Sequence, residues 1–315
     1  MEYRPLGHTG LVVSRLCFGA LTIGPLQAGL PLHEGAEVIR AALDRGVNFI
    51  DTAELYGTYG YIREALLGFN QEVVLASKSY AYTREGMQAS LEQARCELDR
   101  DVVDIFLLHE QESILTVKGH WPALEYLLEA KAKGMVRAVG LSTHRVSGVE
   151  AAVQVPEIEV VHPLFNVDGL GIHDGTREDM YRAIAAAKAA GKGIYSMKPL
   201  GGGNLLHRME EALAYVLAQP AIDAIALGMR TMAEVEMNLC LFDGNQVPDR
   251  VREQVQRLNR SLHIEEWCEG CGRCIERCHT GALEMREGKV RVNREQCLLC
   301  GYCGSACPHF FIKIV

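Results

Sequence analysis

The sequence predicts an α/β chain: a (β/α)8 TIM-type barrel followed by a small, cysteine-rich α+β domain. Three observations carry that expectation. Eight short apolar or β-branched runs alternate with helical patterns, which calls for parallel pairing and closure into a barrel. No G-x-G-x-x-G follows the first run, which disfavours the alternative, an open doubly wound sheet. Eight of the eleven cysteines fall between Cys268 and Cys307.

The strands read RLCFG (15–19), VNFID (47–51), VVLASK (73–78), VDIFLLH (103–109), VRAVGLS (136–142), EVVHPLF (159–165), GIYSMK (193–198) and DAIALG (223–228). Helical patterns between them include 33–45, 84–100, 121–133, 177–190 and 231–240. Gly46 is placed to end the first helix. Thr231 and Glu234 have capping-box spacing at the start of the last. Before the first strand, YRPLGHTGLVVS predicts a hairpin that plugs the bottom of the barrel. After the eighth unit, DGNQVPDR (243–250) is turn-rich and leads into a helix ending near residue 262. The expected domains are therefore 1–262 and 263–315.

Formal net charge is −8, with 48% hydrophobic and 23% charged residues. That is the balance of a soluble globular protein and argues against a nucleic-acid or anionic-membrane partner. MEYRPLGHTG has no apolar core and does not read as a signal peptide. No apolar run approaches the roughly 18 residues of a membrane span. Clustered cysteines without an export signal point to metal ligands in a reducing cytoplasm.

Cys268, Cys271, Cys274 and Cys278 repeat the C-x2-C-x2-C-x3-C spacing of Cys297, Cys300, Cys303 and Cys307. In a two-cluster ferredoxin each such run gives three thiolates to one cluster and its fourth to the other. One [4Fe–4S] cluster would then take Cys268, Cys271, Cys274 and Cys307, and the other Cys297, Cys300, Cys303 and Cys278. Structural zinc also uses C-x-x-C pairs, but would leave the x3 cysteines idle. His279 stands where Pro308 follows the second run. ALEM and KVRV around REG predict a hairpin between the runs. Cys17, Cys96 and Cys240 are expected to be small buried hydrophobes.

Four polar residues fall at or just past successive strand ends: Asp51 and Tyr56 in DTAELYG, Lys78 in ASKSY and His109 in FLLHE. Barrel active sites lie at the C-terminal ends of the strands. Singly, each has a structural reading: a helix cap, a rim aromatic, a solvated cation, a core histidine. Together they suit acid–base chemistry at a carbonyl. A phenol has a pKa near 10, and a nearby ammonium is expected to lower it. Asp51 would hold Lys78, Tyr56 would give a proton to the carbonyl oxygen, and His109 would orient that oxygen.

These motifs, with GHTGLVVSRLCFGA, GLS, PLFN, MKPLGGGN and GMRTMAEVEMNL in order over residues 1 to about 240, resemble the aldo-keto reductase family. The resemblance implies a nicotinamide dinucleotide, NADP(H) or NAD(H), lying extended over the barrel mouth. Family habit favours NADP(H). The resemblance has Ser142 and Asn166 face the nicotinamide amide and counts Gly19, Ala20, Leu21, Asp51 and His162 among the cofactor contacts. Met197, Lys198, Pro199, Leu200, Gly201 and Gly203 would wrap ribose and pyrophosphate. Gly228, Met229, Arg230, Glu234 and Asn238 would hold the adenosine end. The sequence departs from the family in having His162 for the usual Gln, Met197 near a common aromatic, and Glu234 for Arg or Gln. The family's long C-terminal substrate loop is replaced by the cysteine domain.

Hydride moves two electrons, whereas a cubane cluster passes one, and no flavin signature joins them. The leading expectation is thus an NAD(P)H-dependent oxidoreductase acting on a small carbonyl or alcohol, with a cluster domain that is structural or docks a redox protein. The alternatives are an electron-transfer protein whose clusters serve a partner or a further cofactor at the barrel mouth, and a nucleotide-holding regulatory subunit.

Overall fold

The computed structural model describes residues 1–315. A hairpin of β1 (Tyr3–Pro5) and β2 (Val12–Ser14) precedes eight parallel strands: β3 (Leu16–Gly19), β4 (Phe49–Asp51), β5 (Val74–Ser79), β6 (Val103–Leu108), β7 (Val136–Thr143), β8 (Val160–Pro163), β9 (Gly193–Met197) and β10 (Ala224–Gly228). Each strand pairs with the next, and β10 returns to β3, so the sheet closes into the expected barrel.

Leu6, Leu11 and Val13 of the hairpin are buried with Phe49, Val74, Ile105, Val160 and Tyr195 inside the barrel, so the hairpin plugs its base. Gly7 has a left-handed φ of 53°, and a Cβ there would stand 2.2 Å from the Gly193 amide nitrogen. Only glycine permits that approach. The larger core, 55 buried residues between strands and helices, is drawn entirely from residues 16–242 and needs nothing from the tail. Helices at Leu32–Leu43, Arg84–Leu98, Trp121–Ala132, Arg177–Ala189 and Met232–Phe242 fall where the apolar periodicity places them. No helix is long and apolar enough to cross a membrane.

The helix Asp249–Gln256 is shorter than expected, and β11 (Leu262–Ile264) starts before the predicted second domain. β11 pairs antiparallel with β14 (Ile312–Ile314), beyond the last cysteine. Between them lies the hairpin β12 (Leu283–Arg286) and β13 (Lys289–Val292). Glu287 and Gly288 both have positive φ, as a two-residue hairpin turn requires. The tail core has only seven buried residues, two of them Cys274 and Cys303.

One expectation fails. Of the three cysteines outside the cluster runs, only Cys17 is buried; Cys240 is half-buried and Cys96 exposed. The helix Arg84–Leu98 buries Met87, Ser90, Leu91, Ala94 and Leu98, which leaves Cys96 on the water-facing side.

Candidate active site

The parallel register sets Asp51 beside Gly19 on one side and Ala76 on the other, at the carboxyl end of the barrel. Two residues along β5, Lys78 places its Nζ 2.8 Å from Asp51 Oδ1 and 2.7 Å from the Thr52 carbonyl. Both side chains are buried, and such a pair holds only when other polar atoms complete it. Tyr195 does so, donating to Asp51 Oδ1 at 3.0 Å. His162 stacks on Tyr195 with ring centroids 3.9 Å apart, and its Nδ1 meets the Tyr195 carbonyl at 2.6 Å. Its Nε2 is 3.7 Å from Asp51, yet burial prevails and pushes His162 down to about 4. His162 is therefore neutral near pH 7.

Tyr56 ends a single helical turn, Glu54–Tyr56, which Gly57 terminates at a left-handed φ of 63°. The Lys78 ammonium lies 4.8 Å from the centroid of the Tyr56 ring. The expectation that Lys78 lowers the phenol pKa is not met. Burial, then the Asp51 and Glu110 charges, push Tyr56 well above 10, because Lys78 is spent on Asp51 and Thr52. Tyr56 thus rests as a neutral phenol that carries the proton it would give.

His109 continues the β6 ladder through its amide to the Ser79 carbonyl. Its ring lies edge-on to Tyr56, 5.9 Å between centroids, and stacks on Tyr80 at 4.2 Å. Burial, reinforced by the Lys78 charge, holds His109 well below 6.5, so it too is neutral. Its Nδ1 is buried with no hydrogen-bond partner. A buried polar atom left unpaired is costly, and at a barrel mouth it marks a place for a ligand atom. All four residues expected to act together do meet. Tyr195 and Tyr80 were not singled out in the sequence; Tyr80 lies two residues past Lys78, while nothing in GIYSM sets Tyr195 apart from a core aromatic.

The expected nucleotide contacts divide. Gly19 pairs with Asp51 at the end of β3, Ala20 and Leu21 follow it, and Met197 ends β9. Ser142, opposite His162 in the β7–β8 register, accepts the Glu110 amide at 2.9 Å. Asn166 is fully buried and spans its own loop, with Leu170 and Lys198 carbonyls on its Nδ2. Pro199 and Met229 are buried, and Asn238 nearly so. Gly228 is closed off by Thr22. Gly201, Gly202 and Gly203 have left-handed φ, but their neighbours are protein. A Cβ on Gly202 would meet Lys313, and one on Gly203 would stand 2.1 Å from the Ile314 carbonyl. Arg230 donates to the Asn259 carbonyl, and Glu234 accepts from the Arg230 amide and from Arg260 at 2.9 Å. Residues expected at the phosphate and adenosine ends, Gly202, Gly203, Arg230 and Glu234, are engaged by the chain's own C-terminal extension.

The tail seats on that loop. Asn204 donates to the Ile312 carbonyl, and Gly301 and Gly304 pass so close to Asn204 that no Cβ fits. Phe310 is buried in a left-handed conformation between Gly171 and Gly202.

The cysteine runs form two equivalent turns, Arg273–Glu276 and Tyr302–Ala306, each preceded by a left-handed glycine, Gly272 or Gly301. Burial pushes the Cys274 thiol up to about 11, with Cys307 its strongest thiol neighbour, then Cys268 and Cys271. Cys303 is pushed to about 12 by burial, then by Cys297 and Cys300. Thiols of both runs thus act on one another, and they must ionise to bind a metal centre.

A surface recess of about 630 Å³ lies on the barrel's flank between the helices Val146–Gln154 and Arg177–Ala189. Its Asp174 and Asp179 are committed to the N-termini of those helices.

The sequence profile of the aldo/keto reductase family matches residues 15–212, and that of the 4Fe-4S dicluster domain matches residues 267–310. The chain is 26% identical over 308 residues to a 6-dehydroglucose reductase of Novosphingobium aromaticivorans, covering 84% of this chain and 93% of that one. It is 27% identical to pyridoxine 4-dehydrogenase of Escherichia coli, covering 81% and 92%. The aldo-keto reductase AKR11C1 of Bacillus halodurans shares the fold with a TM-score of 0.66 at 20% identity, over 82% of this chain and 96% of that one.

Proposed function

Since the chain belongs to the aldo/keto reductase family and carries a 4Fe-4S dicluster domain, we propose that this NAD(P)-dependent oxidoreductase interconverts a small carbonyl compound and its alcohol. The observation that carries this reading is the buried Asp51–Lys78 pair beneath a neutral Tyr56, next to the unpartnered His109 Nδ1. A nicotinamide nucleotide, when bound, supplies or accepts hydride; Gly19, Ala20, Leu21, Ser142, His162, Asn166 and Met197 are the residues proposed to border its reactive end. NADP(H) is proposed over NAD(H) on family resemblance.

The rest is done by the chain. Tyr56 gives its proton to the carbonyl oxygen as negative charge develops there. The Lys78 ammonium, held by Asp51 and Thr52, stays 4.8 Å from the ring centroid as the phenolate forms and offsets only part of its burial cost. Neutral His109 orients the oxygen through its free ring nitrogen. In the reverse direction Tyr56 takes the alcohol proton back.

The same reading assigns two [4Fe–4S] clusters to residues 263–315, with the ligand sets given above. Cys271 and Cys300 are exposed, which favours a second role in electron exchange with a protein partner.

Tyr56→Phe tests the proposal. Carbonyl reduction should fall by roughly 10²–10⁴-fold, with nucleotide affinity retained. A near wild-type rate would remove Tyr56 as the acid.

A further inference from the structure

Two lysines at the seam between barrel and tail have no carboxylate. Lys198 follows β9 in a left-handed conformation, φ 57°, and its Nζ is 2.9 Å from His144 Nε2. Lys313, on β14, donates to the Phe310 carbonyl. Both ammonium groups lie on the Phe310 ring, 5.5 and 3.4 Å from its centroid. Neither lies within 4 Å of a carboxylate, whereas Lys78, Lys131 and Lys188 are each paired with one. Lys192 is met by three carbonyls.

Both lysines are half-buried and keep some solvent contact. Burial pushes Lys198 down to about 8 and Lys313 to about 6, and each feels a further lysine, Lys78 for the first and Lys198 for the second. Glu110 and Glu265, and for Lys313 also the Cys307 thiol, act from a distance without pairing. Lys313 is thus largely the free amine near pH 7 until a neighbouring anion raises it again, so the pair leaves a place for negative charge unfilled. It adjoins the four candidate catalytic residues, since His144, which meets Lys198, also stands 3.8 Å from Glu110, the residue after His109.

We propose that Lys198 and Lys313 clamp the carboxylate of a small oxo-acid substrate whose carbonyl oxygen meets Tyr56 and His109. The clamp rests on the carbonyl-reductase reading and narrows it to anionic substrates. It also gives the tail a place in the pocket, because one of its two cations comes from β14.

The test is calorimetric titration of the cluster-loaded protein with benzoylformate and with its uncharged methyl ester, at low salt and without nucleotide. The acid should bind roughly ten- to a hundredfold more tightly than the ester, the worth of hydrogen bonds to a charged group. Lys313→Gln should abolish that preference without weakening the ester, and Lys313→Arg should keep it. Visible absorbance of the clusters checks that each variant is folded; if Lys313→Gln loses them, Lys198→Gln is read in the same way. Equal affinity of wild type for acid and ester overturns the clamp. So does an equal loss of both ligands in Lys313→Gln. So does a variant that binds the acid normally but has weakened nucleotide affinity or a shifted cluster potential, since the cation then serves a nucleotide phosphate or the cluster. The titration needs no turnover, so a failed Tyr56 assignment would leave the clamp separately measurable.

Discussion

Phe310 of the tail occupies the space beside Gly171 of the barrel: a Cβ on that glycine would stand 2.9 Å from the Phe310 ring. A buried aromatic thus joins the cysteine-bearing segment to the loop that follows β8.

Removing that ring should loosen the tail. Phe310→Ala is expected to cost docking about 3–5 kcal/mol, as for other buried aromatics. Hydrogen exchange at Leu262–Ile264 should rise while exchange in β3–β10 stays slow. Unchanged protection of β11 would place the seat in the Asn204 contacts instead.

The Asp51–Lys78 pair makes a stability prediction separable from chemistry. Lys78→Met leaves a buried carboxylate unpaired and should destabilise by about 3–5 kcal/mol. Adding Asp51→Asn should recover part of that stability without recovering turnover. Thermal melts and rates on the two variants decide it; equal melting points would show that the pair is not buried as a unit.

His162 gives a pH dependence with a definite sign. Its folded value, about 4, lies below the ordinary 6.5. As pH falls from 6.5 the unfolded chain takes up a proton that folded His162 refuses, so stability drops until about pH 4 and then levels off. His162→Gln, which cannot titrate, should reduce the loss in that window by up to about 3 kcal/mol. Parallel denaturation curves at pH 7 and pH 4.5 measure it. An identical pH slope in both proteins would mean that His162 ionises freely.

The cysteine assignment is tested by counting metal. Anaerobic wild type should hold about eight iron and eight sulfide, the content of two cubanes. Cys307→Ala should lose the cluster that includes Cys274, and Cys278→Ala the other, each leaving about four iron. Loss of the same cluster from both variants would refute the crossed pairing. Stoichiometric zinc in iron-replete preparations would refute the clusters themselves.

What the sequence disclosed follows from which interactions are local. Each barrel strand announces itself by its own apolar run, and Asp51, Lys78 and His109 lie at or next to strand ends, so topology alone brings them together. Tyr56 needed only Gly57 to end its turn. What stayed hidden depends on partners far along the chain. Gly201–Gly203 read like a phosphate cradle, but Lys313 and Ile314, more than a hundred residues on, are what those glycines admit. Glu234 read as a ribose contact and meets Arg260. Tyr195 binds Asp51 across 144 residues, a separation no periodicity reports. Cys96 failed for a different reason: its helix's buried face leaves that position in water, whatever the residue's usual habit.

The pairing of β11 with β14 has a consequence in time. The barrel can close once β10 has been made, and all eight cysteines leave the ribosome before Ile312–Ile314 does. During that interval β11 has no strand beside it, and the Gly201–Gly203 loop stands uncovered. The thiols are therefore open to whatever delivers iron and sulfide before the final segment is available to seat them. The cover over the mouth of the barrel is therefore seated only after the cysteine runs beneath it have been made.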